Sequence, residues 1–247
     1  MKEETSPNVK ALETRNQLGL SSHEPIDIFR ALKYKQNISL VFLPFKGESK
    51  ISGMFLKKDK VKLILINTEK TLGHQIFTAA HEFYHIKYSL GREGGACRAG
   101  VFDQNAVEEF RADQFAVNLL VPKEGLEFYI EKRFGEKVLE MGDIIELENY
   151  FNVSHQCMVW RLQEINRFSK ITADFFKEGV KNEAKMLGFS TKLYEPTYGN
   201  ETMSDVPKKI KKAREKGLIS KGKAKEFLLN FGYFEIAEGF LDHEFLD

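Results

Sequence analysis

The stretch Phe77-Thr78-Ala79-Ala80-His81-Glu82-Phe83-Tyr84-His85 decides how the rest of this chain is read. It lies within a longer segment, from about Thr71 to Leu90, where Ile76, Phe77, Ala80, Tyr84 and Tyr88 recur at spacings of one, three and four and Gly91 is placed to end the run. That periodicity predicts a helix. Residues four apart on a helix project about 40° apart, so His81 and His85 point the same way and can grip one ion. Glu82 then stands beside them, placed to exchange a proton with water rather than to bind the metal. The plainer alternative is an ordinary helix with two satisfied histidines. A chance match is unlikely enough, inside an independently predicted helix, that the metal reading is preferred.

A metal that does chemistry normally keeps three protein ligands and one open position. The third ligand is not another nearby histidine, because the positions downstream of His85 hold Tyr88 and Gly91. A glycine-rich loop, Gly91–Gly100, leads to a second predicted helix from about Asn105 to Leu120, stopped by Pro122. A carboxylate there, Asp103, Glu108, Glu109 or Asp113, is the natural source. Phe110, Ala112, Phe115, Ala116, Val117, Leu119 and Leu120 define the apolar arc of this helix, and Glu109 lies nearer its centre than Glu108. A carboxylate facing a core needs a partner, either a metal or an arginine such as Arg98 or Arg111.

Together with Glu109-Phe110-Arg111-Ala112-Asp113-Gln114-Phe115-Ala116-Val117-Asn118-Leu119-Leu120-Val121-Pro122, the histidine helix resembles the ImmA/IrrE family of metallopeptidases over about Ile26 to Phe168. That family carries a glutamate-x-x-alanine-asparagine-x-phenylalanine-alanine run after its histidine motif. The resemblance implies a zincin-like α+β fold, one zinc ion held by His81, His85 and Glu109, and Glu82 as the catalytic residue. It further implies a narrow protein substrate, a transcriptional repressor or similar regulator in a phage, mobile-element or stress-response setting. Two departures stand out: Asp113 replaces the usual asparagine, and one extra residue sits between Thr78 and His81. A rival reading is a catalytically silent zincin fold that binds a regulator, or a toxin–antitoxin or DNA-associated module.

Upstream, Ile38–Phe45, Ile51–Leu56 and Val61–Ile66 are short apolar runs separated by charged turns, read as a small antiparallel meander. Residues 1–22 read as a polar lead-in, 23–171 as the metallopeptidase domain with its sheet and helical bundle, and 172–247 as a charged helical region of unknown role. Further helices are expected near Lys123–Phe134, Asp143–Phe151 and Ser154–Phe168, the last capped by Ser154. The last two superficially resemble a DNA-reading helix-turn-helix, but Arg161 and Arg167 among Glu146, Glu148 and Glu164 attract phosphate weakly, and packing is the preferred role.

Other residues have a functional and a bland reading. His74 lies seven before His81 and is either a proton donor or an exposed first-turn residue. Tyr84 and Tyr88 either stabilise an oxyanion or fill the core. His155 is either an electrophile or simply the residue after an N-cap.

The formal charge of +1 over 247 residues leaves no whole-chain field for nucleic acid or an anionic membrane. Any nucleic-acid contact is local, confined to the lysine-rich stretch 208–225, for which a solvated helical hairpin is the default reading. Two cysteines, Cys97 and Cys157, do not make a disulfide framework. Met1 to Gln17 has no apolar stretch of signal-peptide length, and the runs Leu40–Phe45 and Leu63–Ile66 fall short of the roughly 18–20 residues of a membrane span. A cytoplasmic protein is the expectation.

Overall fold

The computed structural model describes residues 5–45, 49–99, 106–167, 179–234 and 236–238. In chain order the elements are α1 (Pro7–Gln17), α2 (Ile28–Arg30, continued by a π-turn over Ala31–Lys35), β1 (Ser39–Leu43), β2 (Gly53–Lys58), β3 (Val61–Asn67) and α3 (Leu72–Tyr88). There follow β4 (Gly94–Cys97), α4 (Val107–Leu120), α5 (Lys123–Phe134), α6 (Met141–Phe151) and α7 (His155–Glu164). Beyond these come α8 (Val180–Met186), a 3-10 turn (Lys192–Tyr194), β5 (Glu201–Met203), α9 (Val206–Glu215) and α10 (Lys221–Asn230).

The sheet is mixed, in the order β4-β2-β3-β1-β5. Alternation builds it: Leu40, Phe42, Phe55, Ile64 and Ile66 turn inward and are buried, while their neighbours turn out. β2 and β3 form the expected antiparallel hairpin, turning at Asp59 with φ 52°. The expected meander is corrected at β1, which pairs parallel to β3 from Ser39↔Leu63 to Leu43↔Asn67. Apolar alternation sets the buried face of a strand but not its direction or neighbour, so this pairing was invisible in the pattern. The glycine-rich loop also contributes a strand. Gly94-Gly95-Ala96-Cys97 carries little β-propensity, yet it pairs antiparallel with β2, from Gly53↔Cys97 to Leu56↔Gly94.

Helix α3 lies across the inner face of this sheet and is buried on almost every side. The Oγ1 of Thr71 caps its start, accepting from the backbone N–H of His74 at 3.4 Å. Its end is held from the sheet: Lys57 Nζ donates to the carbonyl oxygens of His85 at 3.1 Å and Ile86 at 3.3 Å, and to that of Ser89. A cation at a helix C-terminus satisfies carbonyls that have no partner within the helix. α4 packs against α3 on its other side.

The lead-in at residues 1–22 contains a packed element, α1, which lies on α4. Its polar look conceals burial by pairing. Arg15 is 1% exposed, and its guanidinium donates to the carbonyl oxygens of Leu119 at 2.6 Å, Ser21 at 2.6 Å and Glu24. A buried charge is tolerated where its donors are all engaged.

The boundary expected near residue 172 falls outside the described residues. Past it, residues 192–203 bind tightly to the domain. The backbone N–H of Leu72, at the first turn of α3, donates to Glu195 O at 2.9 Å, Thr71 forms a bridge with Pro196, and β5 pairs antiparallel with β1. One buried carboxylate fastens the segment: Glu148, 0% exposed, lies 2.5 Å from His155 Nδ1 and accepts from Tyr194 Oη at 2.7 Å. Removing one member of such a network strands the others without water. Glu148→Ala is therefore expected to cost about 3–5 kcal/mol in urea unfolding. A loss under about 1 kcal/mol would mean the segment is held by other contacts.

α9 and α10 form a separate small core of Ile210, Ala224, Leu228 and Ala237, with Val206, Ile219, Phe227 and Tyr233 packed on it. Lys208, Lys209, Lys211, Lys212, Lys216, Lys221 and Lys223 are exposed around that core. The resemblance of α6 and α7 to a DNA reader does not extend to their chemistry: Arg161 is buried, donating to Val121 O at 2.9 Å and Asn118 Oδ1 at 2.8 Å. Among the described residues, no helix is long and apolar enough to cross a membrane.

Candidate metal centre

Three atoms from two helices meet above the middle of α3. His81 Nε2 and His85 Nε2 are 3.2 Å apart, and Glu109 Oε2 from the first turn of α4 is 3.2 Å from the former and 3.5 Å from the latter. Tetrahedral zinc with ligands at about 2.0–2.1 Å has ligand–ligand edges of about 3.3 Å. The observed triangle matches those edges.

The backs of the two imidazoles explain why the Nε2 atoms face inward. His81 Nδ1 donates to Asp113 Oδ1 at 2.7 Å, and His85 Nδ1 lies 2.9 Å from Ser89 Oγ. A carboxylate accepts only, so Nδ1 of His81 carries a proton, which leaves Nε2 as the atom that would bind a metal in place of the proton it otherwise shares with Glu109. Two imidazole nitrogens and a carboxylate oxygen this close share a cation, a proton donated by the histidines to Glu109 or a metal ion in its place. With that donor set, the residues fit a zinc ion.

Glu82 supplies a second test. It is 0% exposed, and neither carboxylate oxygen has a formed hydrogen bond; the Cys97 thiol is the polar group that influences it from β4. A buried polar group without a partner is rare and points to chemistry rather than packing. Burial raises its pKa to about 7. Glu109 moves the opposite way: hydrogen bonds from His81 and then His85 hold it well below the usual carboxylate range. For His81, burial pulls the pKa down while Cys97, Asp113 and Glu109 push it up and prevail. Burial holds the Cys97 thiol itself at about 12, hence neutral, so we assign the rise to the two carboxylates.

Of the carboxylates weighed for third ligand, the structure places Glu109 with the histidines and Asp113 behind His81. Glu108 turns aside to Arg92, 3.4 Å away, and Asp103 lies outside the described residues. Asp113 stands one helical turn after Glu109, so both reach the same histidine from one face of α4. Asp113→Ala is expected to weaken zinc binding about 10–100-fold in a chelator competition, and Asp113→Asn, whose amide oxygen still accepts, to recover most of that loss.

The other candidates are not drawn into the triangle. His74 Nε2 lies 2.8 Å from Ser52 Oγ, and burial lowers its pKa to about 4, so it is a neutral link between α3 and the start of β2. The Tyr88 hydroxyl lies 3.0 Å from Thr14 Oγ1 and donates to Lys10 O at 3.2 Å, facing α1. Tyr84 is buried against Tyr88 and Phe115. His155 belongs to the Glu148 network.

Two contributors had no signal in the pattern. Gly53 lets α3 approach β2: a Cβ there would lie 2.4 Å from Thr78 Cγ2, 2.9 Å from Leu65 O and 3.2 Å from Glu82 Oε1. Arg92, on the loop before β4, reaches Glu109 Oε1 at 3.4 Å. Ser89 was legible in principle, because it follows His85 by four residues.

No curated protein sequence matches this chain. The Peptidase M78 family model, described as the IrrE N-terminal-like domain, matches residues 34–163, a span that contains β1 to β4, the histidine helix and the ligand helix. With more than half of its length covered by that match, the chain belongs to the Peptidase M78 family of metallopeptidase domains.

Proposed function

We propose that this chain is a zinc-dependent endopeptidase that hydrolyses a peptide bond in a specific regulatory protein, a transcriptional repressor or a regulator like it. The observation that carries the hydrolytic part is the orphaned carboxylate of Glu82 beside the three converging donors.

His81, His85 and Glu109 would hold the ion. Zinc, when bound, supplies a Lewis acid that polarises a carbonyl and makes water a better nucleophile near neutral pH. Glu82 does the proton work: it accepts the proton of the attacking water and delivers it to the leaving nitrogen. Its burial suits that task, since a carboxylate with no hydrogen bond and a pKa near neutrality both takes and returns a proton readily. Access is from the Glu109 side. Glu109 is about one-third exposed and the two histidines are 1% exposed, so a peptide approaches over the first turn of α4.

The narrow substrate is supported by the family resemblance. The test compares the new protein N-termini that arise in cells expressing the parent with those in cells expressing Glu82→Gln. One or a few cleaved regulators, absent with the variant, is the expected result. Indiscriminate cleavage would refute the narrow substrate, and identical N-termini in both would refute the peptidase.

A further inference from the structure

Building on the zinc reading, we propose that Arg92 is a positioning residue that keeps Glu109 to a single oxygen at the metal and thereby preserves the open coordination position. Glu109 is divided between two neighbours. Its Oε2 faces the two histidine Nε2 atoms at 3.2 and 3.5 Å, whereas Oε1 faces Arg92 Nη1 at 3.4 Å. A carboxylate free to swing brings both oxygens to a metal, and a zinc with two histidines, a water and a bidentate carboxylate would already have five ligands, leaving no open place for the substrate carbonyl. A guanidinium holding the second oxygen opposes that swing.

The position of Arg92 is itself built. Its guanidinium lies over the Phe55 ring, 5.7 Å from the centroid, and the other side of the same network stacks Phe55 on the His85 imidazole at 5.2 Å with 12° between planes. Gly95 makes the room: a Cβ there would come 2.8 Å from Arg92 Nη2 and 3.1 Å from Phe55 Cε1. Arg92, Phe55 and His85 thus pack as one support beside the triangle. Nη1 also faces Glu108 Oε2 at 3.4 Å, which offsets part of the charge brought to the centre. Ion pairs as exposed as these, with each side chain more than one-third accessible, contribute little to folding. The consequence of Arg92 is geometric.

That distinguishes it from a mere prop. Loss of a prop loosens Glu109 and weakens the metal, whereas loss of this cation frees the second oxygen and removes a positive neighbour. The experiment loads the parent, Arg92→Met, Arg92→Lys and Glu108→Ala with Co2+ for visible absorption and measures Zn2+ affinity by chelator competition. Methionine keeps an apolar stem over Phe55 without the charge. Expected for Arg92→Met is a loss of d–d intensity with a shift to shorter wavelength, the change from four ligands to five, with zinc bound as tightly as in the parent or up to about tenfold tighter. Arg92→Lys returns part of the parent spectrum, and Glu108→Ala leaves it intact. Superimposable spectra for parent and Arg92→Met overturn the proposal, as does a tenfold loss of zinc affinity under a parent-like spectrum. Should Arg92→Met lose its helical circular dichroism, Arg92→Gln carries the same comparison. A parent that takes up neither metal refutes the zinc reading itself.

Discussion

Glu82→Gln lowers peptide-bond hydrolysis by about 10²–10⁴-fold, the usual worth of a positioned general base, while zinc remains stoichiometric. Glutamine has the same shape but cannot take a proton, and it lies outside the ligand triangle of His81, His85 and Glu109. The measurement pairs turnover of a cleaved regulator with metal content of the same preparation. Residual activity within about fivefold of the parent would remove Glu82 from the mechanism; loss of zinc along with activity would make it structural.

The same substitution has a signature in the metal-free protein. Burial raises the Glu82 pKa from 4.5 to about 7, so the folded state keeps a proton that the unfolded chain releases between those values. A raised carboxyl pKa gives stability that is full below about pH 4.5 and is lost as pH climbs toward 7. Relative to Glu82→Gln, the parent is expected to lose roughly 3 kcal/mol across that window. Parallel melting-temperature profiles for the two metal-free proteins would contradict the burial argument.

Glu109→Ala weakens zinc binding by more than about 100-fold, beyond the 10–100-fold that outer-shell partners command, whereas Glu108→Ala leaves affinity within a fewfold of the parent. The two residues are adjacent and both acidic, yet only Glu109 Oε2 meets the histidine nitrogens. Chelator competition separates them directly. Equal losses at both positions would mean that general negative charge, not ligation, attracts the ion.

The contrast between these neighbours marks how far the sequence could be read. Periodicity favoured Glu109 over Glu108, and the resemblance to ImmA/IrrE proteins implied the same. The geometry places Glu109 with the histidines because the first turn of α4 crosses α3 at His81. Asp113, a candidate ligand by sequence, stands behind His81, since one helical turn carries it from the Nε2 side of that ring to Nδ1. The sequence offers Arg98 and Arg111 as partners for Glu109; in the structure Arg92 reaches it, brought there by a strand concealed in a run of glycines.

What the sequence by itself determined is local: two histidines and a glutamate on one helix, placed by a repeat of about 3.6 residues that holds wherever the helix packs. The tertiary structure decided everything that depends on which distant segments meet. It made β1 parallel to β3, added β4 and β5 to the sheet, and tied residues 192–203 to the start of the histidine helix. It also set Gly53 against Thr78 and divided Glu109 between the histidines and Arg92. The physical reason is that helical spacing is enforced by bonds four residues apart, whereas strand neighbours and converging side chains are selected by burial and pairing across the whole chain, which no local pattern encodes.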